Sequence, residues 1–323
     1  MASYLVTGGA GFIGSHIVEK LVEAEHEVRV VDNLSTGKLE NLEAVRGRIS
    51  WYETDIRDLD KLHEACGGVD YVIHLAALSS VARSLEDPAL TNEVNLGGTL
   101  NVLLAARDAR AKRLVFASSA AVYGDRPEMP RTESQEPCPL SPYAVTKLAG
   151  EYYCQVFTRL FGLEAVPLRF FNIFGPRQDP ASPYSGVLSR FITAYLEGTS
   201  PTIFGDGEQS RDFTHVANVV DAVLRALKAP QAAGRVINVG TGESSTLNQT
   251  IALLDKIFGQ KGAPGYAAPR PGDVRESLAD ITLARRLLGY EPLVSFEQGL
   301  RATVEWYRTS LQQASSLARP RGD

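Results

Sequence analysis

Short apolar runs alternate with longer stretches of helical periodicity through the first half of the chain. Five apolar runs predict strands, at residues 4–7, 27–32, 49–53, 71–75 and 113–117. The stretches between them place apolar residues three and four apart and predict helices near 12–24, 58–65 and 88–110. Strands and helices that alternate in this way form a parallel sheet with helices on both faces. The pattern therefore predicts a doubly wound α/β fold.

The second half of the chain has a different texture, because prolines from Pro176 to Pro271 divide it into shorter segments. Helical periodicity persists near 184–198, 215–229, 246–258, 282–288 and 296–310. We predict three parts: a sheet domain at 1–174, a smaller and irregular lobe at 175–314, and a flexible tail at 315–323. The chain is expected to cross between the first two.

Glycines follow the first predicted strand and open the first predicted helix, in the run Thr7-Gly8-Gly9-Ala10-Gly11-Phe12-Ile13-Gly14. The run satisfies both the G-x-G-x-x-G and the G-x-x-G-x-x-G spacing. Glycine suits such a segment because the turn is tight, a pyrophosphate approaches the backbone, and the helix packs closely on the strand. A strand before it and a helix after it are the context in which this motif marks a Rossmann dinucleotide site rather than a plain turn.

An acidic residue closes the second predicted strand, as a dinucleotide site requires. Asp32 stands 18 positions after Gly14 and can accept hydrogen bonds from the ribose hydroxyls of adenosine. A carboxylate at this position repels the 2′-phosphate of NADP, so the predicted cofactor is NAD. Asp55 follows the third predicted strand, and it is predicted either to bind adenine or to cap the next helix.

A tyrosine and a lysine lie four positions apart in the run Tyr143-Ala144-Val145-Thr146-Lys147. Residues at this spacing share one face of a helix, so the ammonium can favour the phenolate, and a positive nicotinamide would add to the effect. An opposite charge nearby lowers a pKa by about 1–3 units, which brings a phenol toward use as a base near neutral pH. Taken alone, the same spacing also describes an ordinary surface helix.

Further segments give this tyrosine and lysine a specific meaning. Ser118-Ser119-Ala120-Ala121-Val122-Tyr123-Gly124 follows the fifth predicted strand, His74-Leu75-Ala76-Ala77 ends the fourth, and Asn95-Leu96-Gly97-Gly98-Thr99 lies between them. Together, and in their order along the chain, these segments resemble the extended members of the short-chain dehydrogenase/reductase superfamily. The resemblance covers nearly the whole chain. It implies a Rossmann domain that binds NAD and a smaller C-terminal lobe that binds a nucleotide sugar.

The resemblance also assigns roles to individual residues. Ser119, Tyr143 and Lys147 take the places of the catalytic serine, tyrosine and lysine, and no metal is implied. Ser118 takes the place of the cofactor-side neighbour of that serine. The implied NAD contacts are Gly8, Gly11, Phe12, Ile13, Gly14, Asp32, Asn33, Ser35, Thr36, Gly37, Asp55, Ile56, Leu75, Ala76, Ala77, Ser79, Asn95, Ser118, Tyr143, Lys147 and Phe170.

The residues after Ser119 distinguish the branches of the superfamily. The similar sugar-nucleotide dehydratases carry an acid there to protonate a leaving hydroxyl, and UDP-glucuronate decarboxylases usually have a glutamate. Here Ala120 and Ala121 can transfer no proton, so the chain resembles the UDP-hexose 4-epimerases, which interconvert UDP-glucose and UDP-galactose. The alternatives are a UDP-glucuronate 4-epimerase, a dehydratase or decarboxylase, and a non-catalytic NAD sensor. The intact serine, tyrosine and lysine count against the sensor.

The same resemblance places the substrate contacts mainly in the second lobe. Arg211 and Arg270 can clamp a diphosphate by bidentate hydrogen bonds. Taken alone, each of them could equally be an ordinary surface cation. Val187 departs from relatives that have an asparagine there, and the small Ser277 leaves room for an N-acetyl group, which predicts UDP-N-acetylhexosamines as further substrates. The implied contacts are Ser80, Arg83, Ser119, Tyr143, Asn172, Val187, Leu188, Thr202, Phe204, Arg211, Leu247, Arg270, Asp273 and Ser277.

Composition narrows the surroundings in which this protein works. The formal net charge of −5 argues against nucleic-acid binding and against an anionic membrane surface as partners. No apolar run approaches the roughly 20 residues of a membrane span. The cysteines, Cys66, Cys138 and Cys154, are odd in number and lack metal-ligand spacing, which fits a reducing compartment. With no signal-peptide pattern at the start of the chain, we expect a cytoplasmic protein.

Two of the predicted helices bear on oligomeric state. In the resembling family, the helices that correspond to 88–110 and 142–162 pair with copies from a second subunit. Packing on the sheet explains the apolar residues of these helices equally well. A homodimer is therefore an expectation from the family rather than from the pattern.

Overall fold

The computed structural model describes residues 1–179, 186–269 and 274–317, with side chains up to residue 312. Its strands are β1 (Ser3–Thr7), β2 (Glu27–Asp32), β3 (Ser50–Glu53), β4 (Tyr71–His74), β5 (Arg113–Ser119), β6 (Glu164–Phe170), β7 (Ile173–Phe174), β8 (Thr202–Phe204), β9 (Ser210–Arg211), β10 (Thr214–His215), β11 (Ile237–Val239), β12 (Ser245–Thr246), β13 (Gly265–Ala267) and β14 (Glu276–Ser277). Its α-helices are α1 (Phe12–Glu23), α2 (Leu59–Cys66), α3 (Val81–Glu86), α4 (Pro88–Asn92), α5 (Gly98–Asp108), α6 (Pro142–Phe161), α7 (Val187–Leu196), α8 (Val216–Ala226), α9 (Leu247–Phe258), α10 (Thr282–Leu288) and α11 (Phe296–Leu317).

Seven strands form one parallel sheet, which confirms the predicted doubly wound α/β fold. Their order across the sheet is β3-β2-β1-β4-β5-β6-β11, and every neighbouring pair is parallel. The direction of the strand order reverses between β1 and β4. In open parallel sheets, ligands bind in the crevice beyond the carboxyl ends of the strands at such a switch point.

Helices cover both faces of the sheet, so side chains that alternate along a strand enter two different cores. In β2, Val30 packs in the core that contains α1 and α8, whereas Val31 packs in the core beneath α2, α5 and α6. In β4, Ile73 and Val72 divide in the same way. Burial on both faces explains why these strands are continuously apolar in the sequence.

The second lobe has a separate core and only short strands. Strand β7 pairs with β10, β8 pairs with β13, and β9 lies between β12 and β14. Helices α7, α9 and α11 contribute most of its buried side chains, which include Phe191, Leu254 and Val304. The prolines and short segments of the sequence correspond to this irregular lobe.

The chain crosses between the lobes rather than dividing once at residue 174. After β7, helix α8 returns to the face of the sheet that α1 covers, and β11 extends the sheet beside β6. Helix α11 continues through Leu317, so residues 315–317 of the predicted flexible tail are helical, because extending a helix costs less than starting one. The rest of that tail lies outside the described residues. Within the described ranges, no helix combines the length and the apolarity needed to cross a membrane.

Candidate active site

The turn between β1 and α1 accepts only glycine at two positions. Gly8 has φ of +71°, and a Cβ built there would lie 2.8 Å from the backbone nitrogen of Ala76. A Cβ at Gly14 would overlap the carbonyl oxygen of Gly8. The helix therefore crosses the end of the strand more closely than any side chain would allow, as the glycine spacing predicts.

The N-terminus of α1 has the properties of an anion site. Its N-cap, Gly11, offers no side-chain hydrogen bond, and no acidic residue stands in the first turn. The first intrahelical hydrogen bond runs from the Ser15 amide to the Gly11 carbonyl at 3.1 Å, so the amides of Phe12, Ile13 and Gly14 precede this ladder. They border a cavity of about 280 Å³, the glycine cavity. A diphosphate fits the partial positive charge of this helix end.

Asp32 closes the far side of the glycine cavity with a buried carboxylate. Its two oxygens accept the amides of Ala10 and Leu34 at 3.0 and 2.9 Å. Burial raises the pKa of Asp32, and these backbone hydrogen bonds lower it. A Cβ at Gly37 would lie 2.8 Å from the same oxygens, so the loop after β2 folds tightly around the carboxylate. This arrangement fits a group that accepts hydrogen bonds from ribose hydroxyls.

Asp55 borders the glycine cavity and does not cap a helix. The cap of α2 is Asp58, whose side chain accepts the Lys61 amide, so the capping alternative for Asp55 is wrong. Instead, Asp55 accepts Arg57 at 2.9 Å and Asn33 at 2.7 Å. The hydrogen bond from Arg57 is the main cause that lowers the pKa of Asp55.

Most of the predicted NAD contacts meet in the glycine cavity. Asn95 does not line it; its side chain instead accepts the Leu78 amide at 2.8 Å and donates to the Leu78 carbonyl at 3.1 Å. Gly37 does not line the glycine cavity either. The predicted residues that line the cavity are Gly8, Gly11, Phe12, Ile13, Gly14, Asp32, Asn33, Ser35, Thr36, Asp55, Ile56, Leu75, Ala76, Ala77 and Ser79.

A second cavity of about 560 Å³, the tyrosine cavity, adjoins the first and shares with it Phe12, Ile13, Leu75, Ala77 and Ser79. The predicted Ser118, Ser119, Tyr143, Lys147 and Phe170 line this cavity. They come from the carboxyl ends of β5 and β6 and from the first two turns of α6. The predicted serine, tyrosine and lysine are thus brought together.

Local sequence fixes the start of α6 and its close approach to the sheet. Ser141 is the N-cap and accepts the Ala144 amide at 3.2 Å, and Pro142 occupies the first helical position. A Cβ at Gly150 would lie 2.5 Å from the Phe116 ring, so glycine lets the helix approach β5. Lys147 is close enough to donate from Nζ to the Ala117 carbonyl at 2.8 Å.

The electrostatics of the pair differ from the sequence prediction. Burial raises the pKa of Tyr143, and the opposing effect comes from a hydrogen bond with Ser119 rather than from Lys147. Burial also lowers the pKa of Lys147 to about 8. The ammonium lies 5.8 Å from the centre of the Tyr143 ring and bonds a backbone carbonyl. The chain's own groups therefore favour the neutral phenol, and the acidifying effect predicted for Lys147 is not found.

Ser119 and the residues after it form a wall without an acid. Ser119 ends β5 and caps a short 3₁₀ turn, Ala120–Tyr123, by accepting the Ala121 amide at 3.2 Å. Ala120 and Ala121 both line the tyrosine cavity. Neither can supply the proton that an elimination of water requires.

A third cavity of about 240 Å³, the arginine cavity, lies in the second lobe and contains Arg190 and Arg211. Asn172 and Arg211 line both this cavity and the tyrosine cavity, so the two are continuous. The Arg211 guanidinium donates to the Ser210 carbonyl at 2.8 Å. The predicted substrate contacts that line the arginine cavity are Asn172, Val187, Leu188, Thr202, Phe204, Arg211 and Leu247.

The remaining predicted substrate contacts have different positions. Ser277 lines the tyrosine cavity, where its hydroxyl accepts the Asn172 side-chain amide at 3.1 Å. Ser80 lines none of the three cavities and caps α3 instead, and Arg83 lines the glycine cavity. Arg270 and Asp273 lie outside the described residues. Ser80 and Arg83 therefore do not line the tyrosine cavity, and their contact with the sugar stays a prediction.

Several residues of these walls carry no sequence signal. Gln178, Arg190 and Gln209 line the arginine cavity, and Arg131 lines the tyrosine cavity. Conversely, His74 belongs to a predicted motif but is buried, with Thr7 and Thr99 hydroxyls at 2.7 and 2.9 Å from its ring nitrogens. Burial lowers its pKa to about 3, so it is a neutral structural residue.

A Rossmann dinucleotide site that opens onto a half-buried serine and a buried tyrosine and lysine defines an enzyme of the short-chain dehydrogenase/reductase type. Residues 4–240 match the family model described as the NAD-dependent epimerase/dehydratase family. The chain belongs to that family, which confirms the resemblance and NAD as the cofactor.

Relatives and solved structures agree with this assignment along nearly the full chain. A putative UDP-glucose 4-epimerase of Methanocaldococcus jannaschii is 40% identical over 95% of this chain and 98% of its own length. The UDP-glucose 4-epimerase of Thermotoga maritima, solved with UDP-glucose, is 42% identical with a TM-score of 0.91, covering 96% of this chain and 99% of that one.

A UDP-N-acetylglucosamine 4-epimerase of Methanobrevibacter ruminantium, solved with UDP-N-acetylmuramic acid, is 41% identical with a TM-score of 0.92, over 96% and 99% of the two chains. Other relatives, of lower identity, are named for UDP-glucuronate epimerisation or for sugar-nucleotide decarboxylation. The family is therefore clear, and the sugar has to be argued from the site.

Proposed function

We propose that this protein is an NAD-dependent UDP-hexose 4-epimerase that interconverts UDP-glucose and UDP-galactose through a transient 4-keto sugar. The observation that carries the proposal is the tyrosine cavity, where Ser119, Tyr143 and Lys147 meet beside a wall of Ala120 and Ala121. A proton acceptor for an alcohol is present, and an acid for elimination is absent from that wall. Oxidation and re-reduction of one carbinol is the chemistry that these residues support.

Each of the three polar residues has a defined task in this reaction. Tyr143 removes the proton from the hydroxyl on carbon 4 and later returns one, while Ser119 holds the phenol by the hydrogen bond that lowers its pKa. Lys147 keeps an ammonium near the phenol and anchors on the Ala117 carbonyl. NAD supplies the hydride acceptor and the positive nicotinamide.

The high pKa of the buried Tyr143 fits a base that is activated only in the loaded enzyme. Burial disfavours the phenolate in the chain alone. A positive charge beside the same buried group would act strongly, since charges interact more in a low dielectric than in water. We therefore expect Tyr143 to lose its proton more readily, and so to act as a base, when the oxidised cofactor is bound, and to hold its proton more tightly after hydride has been accepted.

The continuity of two cavities supports a nucleotide diphosphate as the handle of the substrate. Asn172 and Arg211 lie where the arginine cavity meets the tyrosine cavity. A diphosphate held there would keep the nucleotide in the second lobe and the sugar against Tyr143. With the nucleotide fixed, the 4-keto sugar can turn about its linkage and present its other face to the same cofactor.

A small residue in the wall of the tyrosine cavity favours a second substrate class, the UDP-N-acetylhexosamines. Ser277 lines the tyrosine cavity and is held by Asn172. A serine side chain fills little volume at the wall of this cavity. The wall thus leaves space beside the hexose for an acetamido group, so we include UDP-N-acetylglucosamine and UDP-N-acetylgalactosamine as substrates.

We also propose a cytoplasmic homodimer. All of the cysteines are free, which suits a reducing compartment. The outward side of α6 exposes apolar side chains at helical spacing, namely Val145, Tyr152, Val156 and Leu160, each at least 43% exposed. A second copy of the same helix would cover this surface, as the family implies.

A panel of UDP-sugars tests the proposed reaction. The protein is incubated with UDP-glucose, UDP-galactose, their N-acetyl forms and UDP-glucuronate, and the products are separated and weighed by mass spectrometry. We expect isomers of unchanged mass from the hexoses. Loss of water or of carbon dioxide would establish a dehydratase or a decarboxylase instead, and conversion of UDP-glucuronate alone would establish a glucuronate epimerase.

Replacing the proposed base tests the mechanism. We expect Tyr143→Phe to lower turnover by at least about 10²–10³-fold, the usual loss when an acid–base group is removed, while bound NAD is retained. Tyr152→Phe, on the solvent side of the same helix, is the matched control and should keep wild-type turnover. Undiminished turnover in Tyr143→Phe would refute the assignment of the base.

A further inference from the structure

A third polar residue continues the stripe of Tyr143 and Lys147 along α6. Glu151 lies four positions after Lys147 and eight after Tyr143, so all three face the sheet. Its side chain is only 2% exposed. A buried carboxylate in line with the catalytic residues requires an explanation that the reaction itself does not give.

Glu151 binds both strands that end at the tyrosine cavity. The Ser118 hydroxyl donates to its Oε1 at 2.5 Å. Arg169 donates from Nε to Oε1 at 2.8 Å and from Nη2 to Oε2 at 2.7 Å. Ser118 on β5 and Arg169 on β6 are partners in the strand register, and Ser119 is paired with Phe170 one position later. One side chain of α6 thus joins the carboxyl ends of β5 and β6.

Stability alone is a poor account of this cluster. A buried ion pair loses most of its Coulomb energy to desolvation, and apolar residues of similar size often replace it without loss of stability. A bidentate pair of arginine and carboxylate does, however, fix direction and distance. The geometry of the cluster, rather than its net energy, is therefore the property to explain.

We infer that Glu151 is a positioning residue that sets the height and rotation of α6 against the ends of β5 and β6. Two contacts depend on that placement: the hydrogen bond between Tyr143 and Ser119, and the 2.8 Å bond from Lys147 to the Ala117 carbonyl. Glu151 lines none of the three cavities, so it would act through Ser118 and Arg169. The inference rests on the proposed function only where turnover is the readout.

The charges around the cluster are nearly balanced. Arg169 faces Glu151, and its guanidinium also lies 4.6 Å from the centre of the Tyr123 ring. Glu133 on the loop after Tyr123 interacts electrostatically with Arg169, and Cys154 on α6 with both Glu151 and Lys147. On the catalytic side, Lys147 is the nearby cation, with His74 of β4 uncharged beside it. Neutralising Glu151 therefore leaves one uncompensated positive charge.

The variant Glu151→Gln separates position from charge. A small displacement at a reaction centre costs up to about 10²-fold in rate, so we expect kcat to fall by about 10–100-fold with KM nearly unchanged. Eight helical residues span about 12 Å, and one unit of charge at that distance shifts a pKa by about one unit at an effective dielectric constant of about 20. The acid limb of the kcat profile should therefore move to lower pH by about one unit.

Two companion variants make the result specific. Glu151→Asp keeps the charge but withdraws the carboxylate, so kcat should fall while the acid limb stays in place. The double variant Glu151→Gln, Arg169→Met is neutral again, so its acid limb should return to the wild-type pH although kcat stays low. A role limited to fold stability predicts no loss of kcat in the folded variants, and a charge effect alone predicts none that persists in the double variant.

The matched control lies at the other end of the same two strands. Arg113 of β5 is buried and pairs with Glu164 of β6 in the register, far from the tyrosine cavity. Arg113→Met should lower the unfolding temperature and leave kcat and its pH profile unchanged. If folded Glu151→Gln and Glu151→Asp match the wild type in kcat, or behave like Arg113→Met, the inference is overturned.

The design also separates this inference from the proposed function. Absence of epimerisation by the wild type would overturn the proposed function alone. The titration of Tyr143 can then be followed without substrate, as the ultraviolet difference between each protein and its Tyr143→Phe counterpart. A Tyr143 pKa that falls in Glu151→Gln and recovers in the double variant supports the inference; an unchanged pKa contradicts it.

Discussion

Lys147→Met should make the protein inactive without making it less stable. Lys147 is 4% exposed, and its ammonium donates a hydrogen bond to the Ala117 carbonyl at 2.8 Å. Methionine has a similar length and no charge to desolvate. The substitution therefore removes a cost of folding together with a group that the reaction needs.

The size of that cost follows from the pKa of Lys147. Burial lowers this pKa from 10.5 to about 8, which corresponds to a penalty of about 3 kcal/mol for the charged form in the folded state. The hydrogen bond to the carbonyl offsets this penalty by about 1.5–3 kcal/mol. At pH 7 we expect the free energy of unfolding of Lys147→Met to equal that of the wild type or to exceed it by up to about 2 kcal/mol.

The pH dependence gives the prediction its sign. Between pH 8 and 10.5, the unfolded chain keeps the Lys147 proton and the folded chain has lost it. The unfolded state then binds more protons, so the stability of the wild type rises with pH by about 1.4 kcal/mol per unit. Lys147→Met lacks this slope. Its advantage should be greatest at neutral pH and should disappear as the pH rises above 8.

Urea unfolding at several pH values, combined with a turnover assay, measures both effects. We expect turnover to fall by at least about 10²-fold. Lys228→Met, at an exposed lysine, is the control for loss of a surface charge and should show neither change. A Lys147→Met protein that is clearly less stable at pH 7, with a stability curve parallel to the wild type, would refute the reasoning.

Two further predictions concern the sugar and the assembly. Ser277→Tyr should lower the ratio of kcat/KM for UDP-N-acetylglucosamine to that for UDP-glucose by about 10-fold or more, since the ring fills the space beside the hexose; an unchanged ratio, or an equal fall in Ser277→Ala, would contradict the proposed pocket. Tyr152→Glu should convert a dimer to a monomer in sedimentation velocity, because it places a charge in the apolar surface of α6. Leu293→Glu, at another exposed apolar residue, should not, and a monomeric wild type would disprove the dimer.

The sequence predicts the parts of this fold that depend on local rules. The glycine turn can be recognised because only glycine tolerates the backbone of Gly8 and the contact at Gly14. Strands β1, β2, β4 and β5 can be recognised because burial on both faces leaves largely apolar runs. In each case, the physical constraint acts on residues that are adjacent along the chain.

Two strands of the sheet escape these rules. Strand β6 contains Pro167, which cannot donate to a ladder and which argues against a central strand, yet β6 lies between β5 and β11. Strand β11 has only three residues, Ile237–Val239, too few to show a period. Tertiary contacts determine both strands, so the local sequence does not show which strands they pair with.

Electrostatics is the other limit of the sequence. The spacing of Tyr143 and Lys147 correctly places both on one helix face, but it carries no information on how deeply they are buried. Desolvation depends on the packing of the sheet, of α6 and of the second lobe, and here it dominates the pKa of both groups. The role of Glu151 is hidden for the same reason, since its partners Ser118 and Arg169 are brought together only by strand pairing.

Helix α6 connects these observations. Its inner face carries Tyr143, Lys147 and Glu151, whose burial is costly and which gain little from being there unless the helix is held in one position. Its outer face carries apolar side chains in solvent, Tyr152 among them. A homodimer through that outer face would fix the helix from the side opposite Glu151. Assembly and catalysis would then depend on the same helix, so a variant that dissociates the dimer should also lower kcat, although it lies on the far side of the helix from the reaction.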